Sequence, residues 1–132
     1  MKLDKEFVSL DRDIVVSFSY CTPSGSSYQV RTQLDPFEEL EQKLCSVKDS
    51  YDIICLGDLN SRPGLKQDYL PAEDNMCIPE FGRLCGTDTT AARPRANMDC
   101  NTNSYGDKLI DLCKSIPLRI CNGRKLGDIS GS

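Results

Sequence analysis

The stretch Asp52-Ile53-Ile54-Cys55-Leu56-Gly57-Asp58-Leu59-Asn60-Ser61-Arg62-Pro63-Gly64 limits the fold more than any other part of the chain. Its apolar run, Ile53 to Leu56, is rich in β-branched side chains and reads as a short strand buried on both faces. Gly57 closes the run, an acid and an amide follow at Asp58 and Asn60, and Pro63-Gly64 marks a turn. A strand of this kind belongs to an α/β architecture. Polar side chains just past its carboxyl end stand where such proteins usually place their chemistry.

The flanking segments supply the rest of such a fold. Residues 6–10 are predicted to form a brief strand, hairpin-paired with a second at Ile14, Val16, Phe18 and Tyr20, whose alternation has the period of two of a half-buried strand. Cys21 to Ser27 is a turn-rich loop. Asp35 can cap a helix with Pro36 at its first position and Glu38 completing a capping box. Phe37, Leu40, Leu44 and Val47 form the inward stripe of that helix. The order up to the central strand is therefore β-β-α-β. Residues 66–102 are largely irregular, with Ala91-Ala92-Arg93-Pro94-Arg95 as a local basic patch and a weak candidate for phosphate contact. A second helix is predicted over about 103–116, capped by Asn103 or Ser104 and stopped by Pro117, with Leu109, Leu112, Cys113 and Ile116 inward. Leu118, Ile120 and Cys121 alternate weakly, as one more strand would.

At 132 residues the chain has room for one domain, 1–132, with a single core. A net charge of −4 argues against bulk electrostatic binding of nucleic acid, though not against a locally basic cleft. No leader and no membrane-spanning run is visible, so an intracellular location, nuclear or cytoplasmic rather than secreted, is expected. The eight cysteines lack Cys-x-x-Cys spacing. Cys45, Cys55, Cys113 and Cys121 lie in apolar segments as small buried hydrophobes would. Cys77, Cys85 and Cys100 keep a zinc or disulfide alternative open. There is no histidine, so imidazole acid–base or ligand chemistry is excluded for this chain alone.

Gly57-Asp58-Leu59-Asn60 by itself is a weak signal. The plain explanation is a strand-end acid and amide tying down a turn. The functional one has both side chains entering one cleft, Asp58 orienting or deprotonating a water and Asn60 donating to a phosphate oxygen or helping to hold a divalent ion. Tyr20 has the same two readings, a last core aromatic or a phenol reaching the cleft.

Taken with its strand, the stretch Gly57 to Gly64 resembles the central motif of the endonuclease/exonuclease/phosphatase superfamily, in the branch carried by non-long-terminal-repeat retroelements. Tyr20-Cys21-Thr22-Pro23 with Ser26-Ser27-Tyr28 is similar to that family's strand-end tyrosine and proline loop. Arg95, Asp99, Asn103 and Gly106, through Leu109-Ile110-Asp111-Leu112-Cys113, resemble its later helix entry. Leu118 to Arg124 and Gly127-Asp128-Ile129-Ser130-Gly131 resemble the strand and loop after it. The stretches occur in the family's order and span nearly the whole chain.

The resemblance implies part of an α/β sandwich, two sheets flanked by helices and incomplete at both ends. It implies metal-dependent cleavage of a DNA phosphodiester, with magnesium as cofactor. Asp58 would activate water, Asn60 would position Asp58 and the phosphate, and Tyr20 would contact a phosphate oxygen. Asp58 and Asn60 are the metal candidates, and Arg62 and Asn103 the candidates for substrate contact. The family's upstream metal-binding glutamate and late Asp-His pair have no counterparts in these residues. The isolated chain is therefore expected not to turn over substrate unaided. The alternatives are a phosphatase of the same superfamily, or a non-catalytic scaffold or relic that binds a partner and self-associates through exposed sheet edges.

Overall fold

The computed structural model describes residues 1–8, 11–70 and 95–123. They form a mixed α/β structure with helices and a small sheet, in two compact units, Met1–Ser61 and Arg62–Ser132.

The first unit is built on a three-stranded sheet: β1 (Lys2–Leu3), β2 (Ile14–Tyr20) and β3 (Asp52–Asp58), in the order β1-β2-β3. β1 runs antiparallel to β2, with Lys2 opposite Val15 and Leu3 opposite Ile14. β2 and β3 are parallel and in unbroken register from Ile14 opposite Asp52 to Tyr20 opposite Asp58. The predicted strand over 6–10 is not there. Lys5–Val8 is a short helix, α1, and the strand paired with β2 lies before it. Two acids decide this locally. Asp4 Oδ1 accepts the Glu6 N–H at 2.8 Å, and Asp13 Oδ1 accepts the Lys5 N–H at 2.9 Å, so the first amides of α1 are satisfied without a strand partner. Residues 9 and 10 lie outside the described set.

A parallel pair needs a crossover, and two helices make it: α2 (Ser27–Thr32) and α3 (Pro36–Cys45). α3 follows its sequence signals. Asp35 Oδ1 caps Phe37 N–H at 3.0 Å, Pro36 stands at the first position, and Phe37, Leu40 and Leu44 are buried. α2 escaped the apolar pattern because none of its residues is buried. Its signal is polar. Ser26 caps Gln29 N–H at 3.3 Å, and the Gln29 side chain reaches back to Gly25 N–H at 2.7 Å, a variant of the capping box.

The expectation that β3 is buried on both faces is not met. In a parallel pair, opposed residues share a face. Phe18, Tyr20, Ile54 and Leu56 therefore line one side of the sheet, and they are 68%, 67%, 41% and 47% exposed. Ile14 and Val16, toward the other end of β2 on that face, are buried.

The second unit rests on α4 (Ser104–Ser115). Asn103 caps it, and Tyr105, Ile110, Leu112, Cys113 and Ile116 are buried, with Leu109 half-buried. The helix ends before Pro117, and Leu118 N–H returns to Cys113 O at 3.0 Å. No strand forms over 118–121. Ile120 N–H is taken by the Asp68 carboxylate at 2.6 Å, and the Arg119 guanidinium donates to Asp68 O at 3.3 Å and lies over the Tyr69 ring. A side-chain clasp replaces the ladder that a period of two implied. Most of 66–102, the predicted irregular stretch, lies outside the described residues, including Arg93 and the rest of the basic patch before Arg95.

The described cysteines are free thiols, and their burial is mixed. Cys21 and Cys113 are buried, Cys55 half-buried, and Cys45, Cys100 and Cys121 exposed. Cys45 and Cys121 thus depart from the expected apolar burial, Cys45 because it falls outside the buried stripe of α3. Cys77 and Cys85 lie outside the described residues. No helix of the described residues is long and apolar enough to cross a membrane.

Candidate functional site at the ends of two parallel strands

β2 and β3 end together, and that shared end carries Tyr20, Asp58 and Asn60. The register sets Tyr20 opposite Asp58, and one more ladder bond, Cys21 N–H to Asp58 O at 2.9 Å, extends the pairing past the strands. Gly57 permits this approach. Its φ is +131°, and a Cβ there would overlap the Ser19 carbonyl oxygen, so only glycine lets β3 close onto β2 one residue before the acid.

Asn60 then clasps the two ends. It sits at φ +48°, in the left-handed region that asparagine tolerates better than most side chains. Its main-chain N–H donates to Asp58 Oδ1 at 2.9 Å, which fixes the carboxylate in an Asx turn. Its side-chain Nδ2 donates to Cys21 O at 2.8 Å, across from one strand end to the other. Cys21 joins them, although the sequence marks it only as part of a loop. It is 3% exposed, and its two main-chain polar groups bond Asp58 and Asn60. Burial pushes its thiol pKa up, with Cys55, Asp35 and Asp58 adding to the shift, so it is an anchor in its thiol form.

Asp58 is exposed and has no ion-pair partner among the described residues. One oxygen takes the Asn60 N–H, and the Tyr20 ring stands on the same face at 67% exposure. Tyr20 is thus no core aromatic. The arrangement offers a fixed carboxylate, an amide and a phenol on one accessible sheet end. A carboxylate so held can accept a proton from water or bind a cation. The plain turn explanation also describes the bonds of Asp58 and Asn60, but it gives no part to Tyr20.

Arg62 and Asn103 come together in the second unit. Arg62 N–H donates to Asn103 Oδ1 at 2.9 Å, and Arg62 O accepts from Asn103 N–H at 3.1 Å. The Arg62 guanidinium is exposed, with Asp99 Oδ2 3.7 Å from Nε. Asp99 itself is held below the usual carboxylate range, first by the Asn101 N–H, then by the Asn101 side chain, with Arg62 contributing. Arg95 is not available to a phosphate. It is buried, and its guanidinium donates to the carbonyls of Gly64 and Lys66. An arginine between a proline and an alanine gives no hint of burial. Its partners lie about thirty residues away in sequence.

Among the described residues no group of three or more His, Cys, Asp or Glu is placed to hold a metal ion. Asp58 and Asn60 are hard oxygen donors, of the type magnesium prefers. Magnesium commonly takes one or two carboxylates and keeps several waters, so this donor set suits a partial magnesium site better than a closed one. No protein-family model, curated protein or solved structure matches the chain.

Proposed function

We propose that the joined ends of β2 and β3 form a phosphodiester-handling site of the endonuclease/exonuclease/phosphatase kind, set on part of that superfamily's two-sheet α/β sandwich, with DNA as the substrate class. The observation that carries this is the convergence of Tyr20, Asp58 and Asn60. Three residues from two chain segments, spread over forty positions of sequence, share one exposed sheet end: Tyr20 lies opposite Asp58 in the ladder, and Asn60 bonds Asp58 and the Cys21 carbonyl.

In this reading Asp58 holds and deprotonates the attacking water, and its orientation is set by the Asn60 N–H. Tyr20 donates its phenol to a phosphate oxygen from the same face. Asn60 keeps the two strand ends at a fixed separation, so that phenol and carboxylate address one group. Asp58 and Asn60 would hold magnesium, which would supply charge to polarise the scissile phosphate. The chain has no histidine, so no imidazole can protonate the leaving oxygen, and this reading gives that step to none of the three residues. Binding without turnover follows.

The test is fluorescence anisotropy of a short labelled DNA duplex with and without magnesium, beside a nicking assay on supercoiled DNA. Magnesium-dependent binding that is lost in Asp58→Asn, with the supercoiled DNA left intact, is the expected pair of results. Binding indifferent to both magnesium and Asp58 would refute the reading. Nicking abolished by Asp58→Ala would refute its claim that turnover needs further groups.

A second reading is favoured by the open face of Phe18, Ile54 and Leu56 and by β3 standing at a sheet edge: a scaffold that associates through that edge. Concentration-dependent sedimentation, abolished by Leu56→Lys, would support it.

A further inference from the structure

Five of the six asparagines are among the described residues, and four of these five have their carboxamides engaged. Asn60 Nδ2 donates to Cys21 O at 2.8 Å, and Asn97 Nδ2 donates to Gly64 O at 3.2 Å. Asn101 Nδ2 donates to Asp99 Oδ1 at 2.9 Å. Asn103 Oδ1 accepts from Gly106 N–H at 2.7 Å and from Arg62 N–H at 2.9 Å. Asn122 is the exception. It is exposed at a turn, and its carboxamide has no hydrogen-bond partner among the described residues. The residue after it is a glycine that the fold requires. Gly123 is buried at φ +76°, and a Cβ there would overlap Ala96 O. Ala96 N–H donates to Gly123 O at 3.2 Å, which ties the turn to the chain beside Arg95. A side chain at 123 would shield the main-chain nitrogen from the carboxamide before it, and tertiary packing excludes one.

We propose that Asn122 is a modification site, deamidated by water alone, and that its isoaspartyl product loosens the turn holding Ala96. The Gly123 main-chain nitrogen loses its proton to base and attacks Asn122 Cγ. The new N–Cγ bond replaces the Cγ–Nδ2 bond, and ammonia leaves. Water then opens the succinimide ring in one of two ways. Breaking the N–Cγ bond gives aspartate, and breaking the bond to the Asn122 main-chain carbonyl carbon gives isoaspartate. In sum one water enters and one ammonia leaves, and either product adds a negative charge. Isoaspartate also puts an extra methylene into the main chain just before Gly123, so the bond from Ala96 N–H to Gly123 O cannot keep its geometry. Arg95, next to Ala96, is buried and holds the carbonyls of Gly64 and Lys66, so a change at the exposed turn reaches that clasp. The proposal is independent of the phosphodiester reading.

The experiment incubates the full chain in mildly alkaline buffer, with and without urea, and follows its peptides by mass spectrometry, with isoaspartate scored by enzymatic carboxyl methylation. In buffer, Asn122 is expected to deamidate at least about tenfold faster than Asn60, Asn97, Asn101 or Asn103, each of which is held by roughly one hydrogen bond or more. Urea frees those four and narrows the gap, and Asn122→Gln removes the fast phase. In 15N-resolved amide exchange, Ala96 loses protection in the isoaspartyl fraction and keeps it in Asn122→Asp, which adds the charge without the methylene. A rate at Asn122 no higher than at the other four overturns the proposal. So does a rate that urea raises more at Asn122 than at those four, since the turn would then be shielding it. Equal Ala96 protection in the isoaspartyl and parent chains overturns the link from Asn122 to the Ala96 turn.

Discussion

The two units solve the same problem by opposite means. In the first, a parallel ladder and the apolar stripe of α3 do most of the holding, and one face of the sheet stays open with Phe18, Tyr20, Ile54 and Leu56 on it. In the second, among the described residues, one helix is flanked by irregular chain, and charged or amide side chains tie that chain down: Asn103 to Arg62, Arg95 to Gly64 and Lys66, Asp68 to Ile120. Asp68 is fully buried and Arg95 nearly so, whereas the acids of the first unit stay accessible. The contrast shows how side-chain hydrogen bonds can hold short irregular segments where a ladder is lacking among the described residues. Each buried polar group does so at the risk that losing its partner leaves an unsatisfied atom inside.

That risk gives the largest expected effect. Arg95→Leu leaves the Gly64 and Lys66 carbonyls without their charged donor and should cost the second unit about 3 kcal/mol, with exchange protection of β2 and β3 little changed. Equal loss in both units would mean that Arg95 does not hold the second unit in particular. Gly57→Ala probes the other side. Its Cβ meets the Ser19 carbonyl at a φ closed to alanine, so β3 must move, at a cost of about 2 kcal/mol to the first unit alone. Next comes Asn60. Asn60→Gly keeps the left-handed backbone but loses the bond to Cys21 O, costing about 1 kcal/mol, and Asn60→Ala adds the backbone strain to that loss. Urea unfolding followed by amide exchange separates the variants. If glycine and alanine behave alike, the clasp rather than the backbone decides.

The smallest effect is the response to acid. Asp13 and Asp99 both titrate below the usual carboxylate range, so the folded chain binds fewer protons than the unfolded one over that range. Their contribution is intact above the ordinary aspartate range and is lost as pH falls through the lowered values. The causes differ. The Lys2 ammonium leads at Asp13, and the Asn101 N–H leads at Asp99. Added salt should therefore raise the Asp13 pKa toward normal and leave that of Asp99 nearly where it was, as read by side-chain carboxyl NMR. Equal salt sensitivity would mean that ion pairing governs both.

What could be read in the sequence follows the same division. β2, the body of β3, α3 and α4 announce themselves through apolar period and caps, because both are local. Asp58, Asn60 and Tyr20 stood out as a strand-end acid, amide and aromatic; the register sets Tyr20 opposite Asp58, and hydrogen bonds to Asp58 and Cys21 O hold Asn60 beside them. The clasps did not stand out. Nothing near Asp68 predicts that it will take Ile120 N–H from fifty-two residues away, and so 118–121 read as a strand. Residues 6–10 also read as a strand, because Phe7 and Val8 favour one and the amide-binding role of Asp13 is invisible from sequence. Openness of a sheet face is a property of what packs on it, so the exposure of Leu56 could not be seen in the run that contains it. Cys21 drew notice only within a loop, since its part is played by its backbone.

The central claim is that Asp58, Asn60 and Tyr20 form one oxygen-rich site at the ends of β2 and β3. A magnesium titration followed by 15N and side-chain carboxyl NMR, on the chain and on Asp58→Asn, addresses it most directly. Saturable shifts confined to Tyr20, Cys21, Asp58 and Asn60 are expected at millimolar or tighter magnesium, and none in the Asp58→Asn variant. Shifts centred elsewhere, or shifts that survive Asp58→Asn, would contradict it.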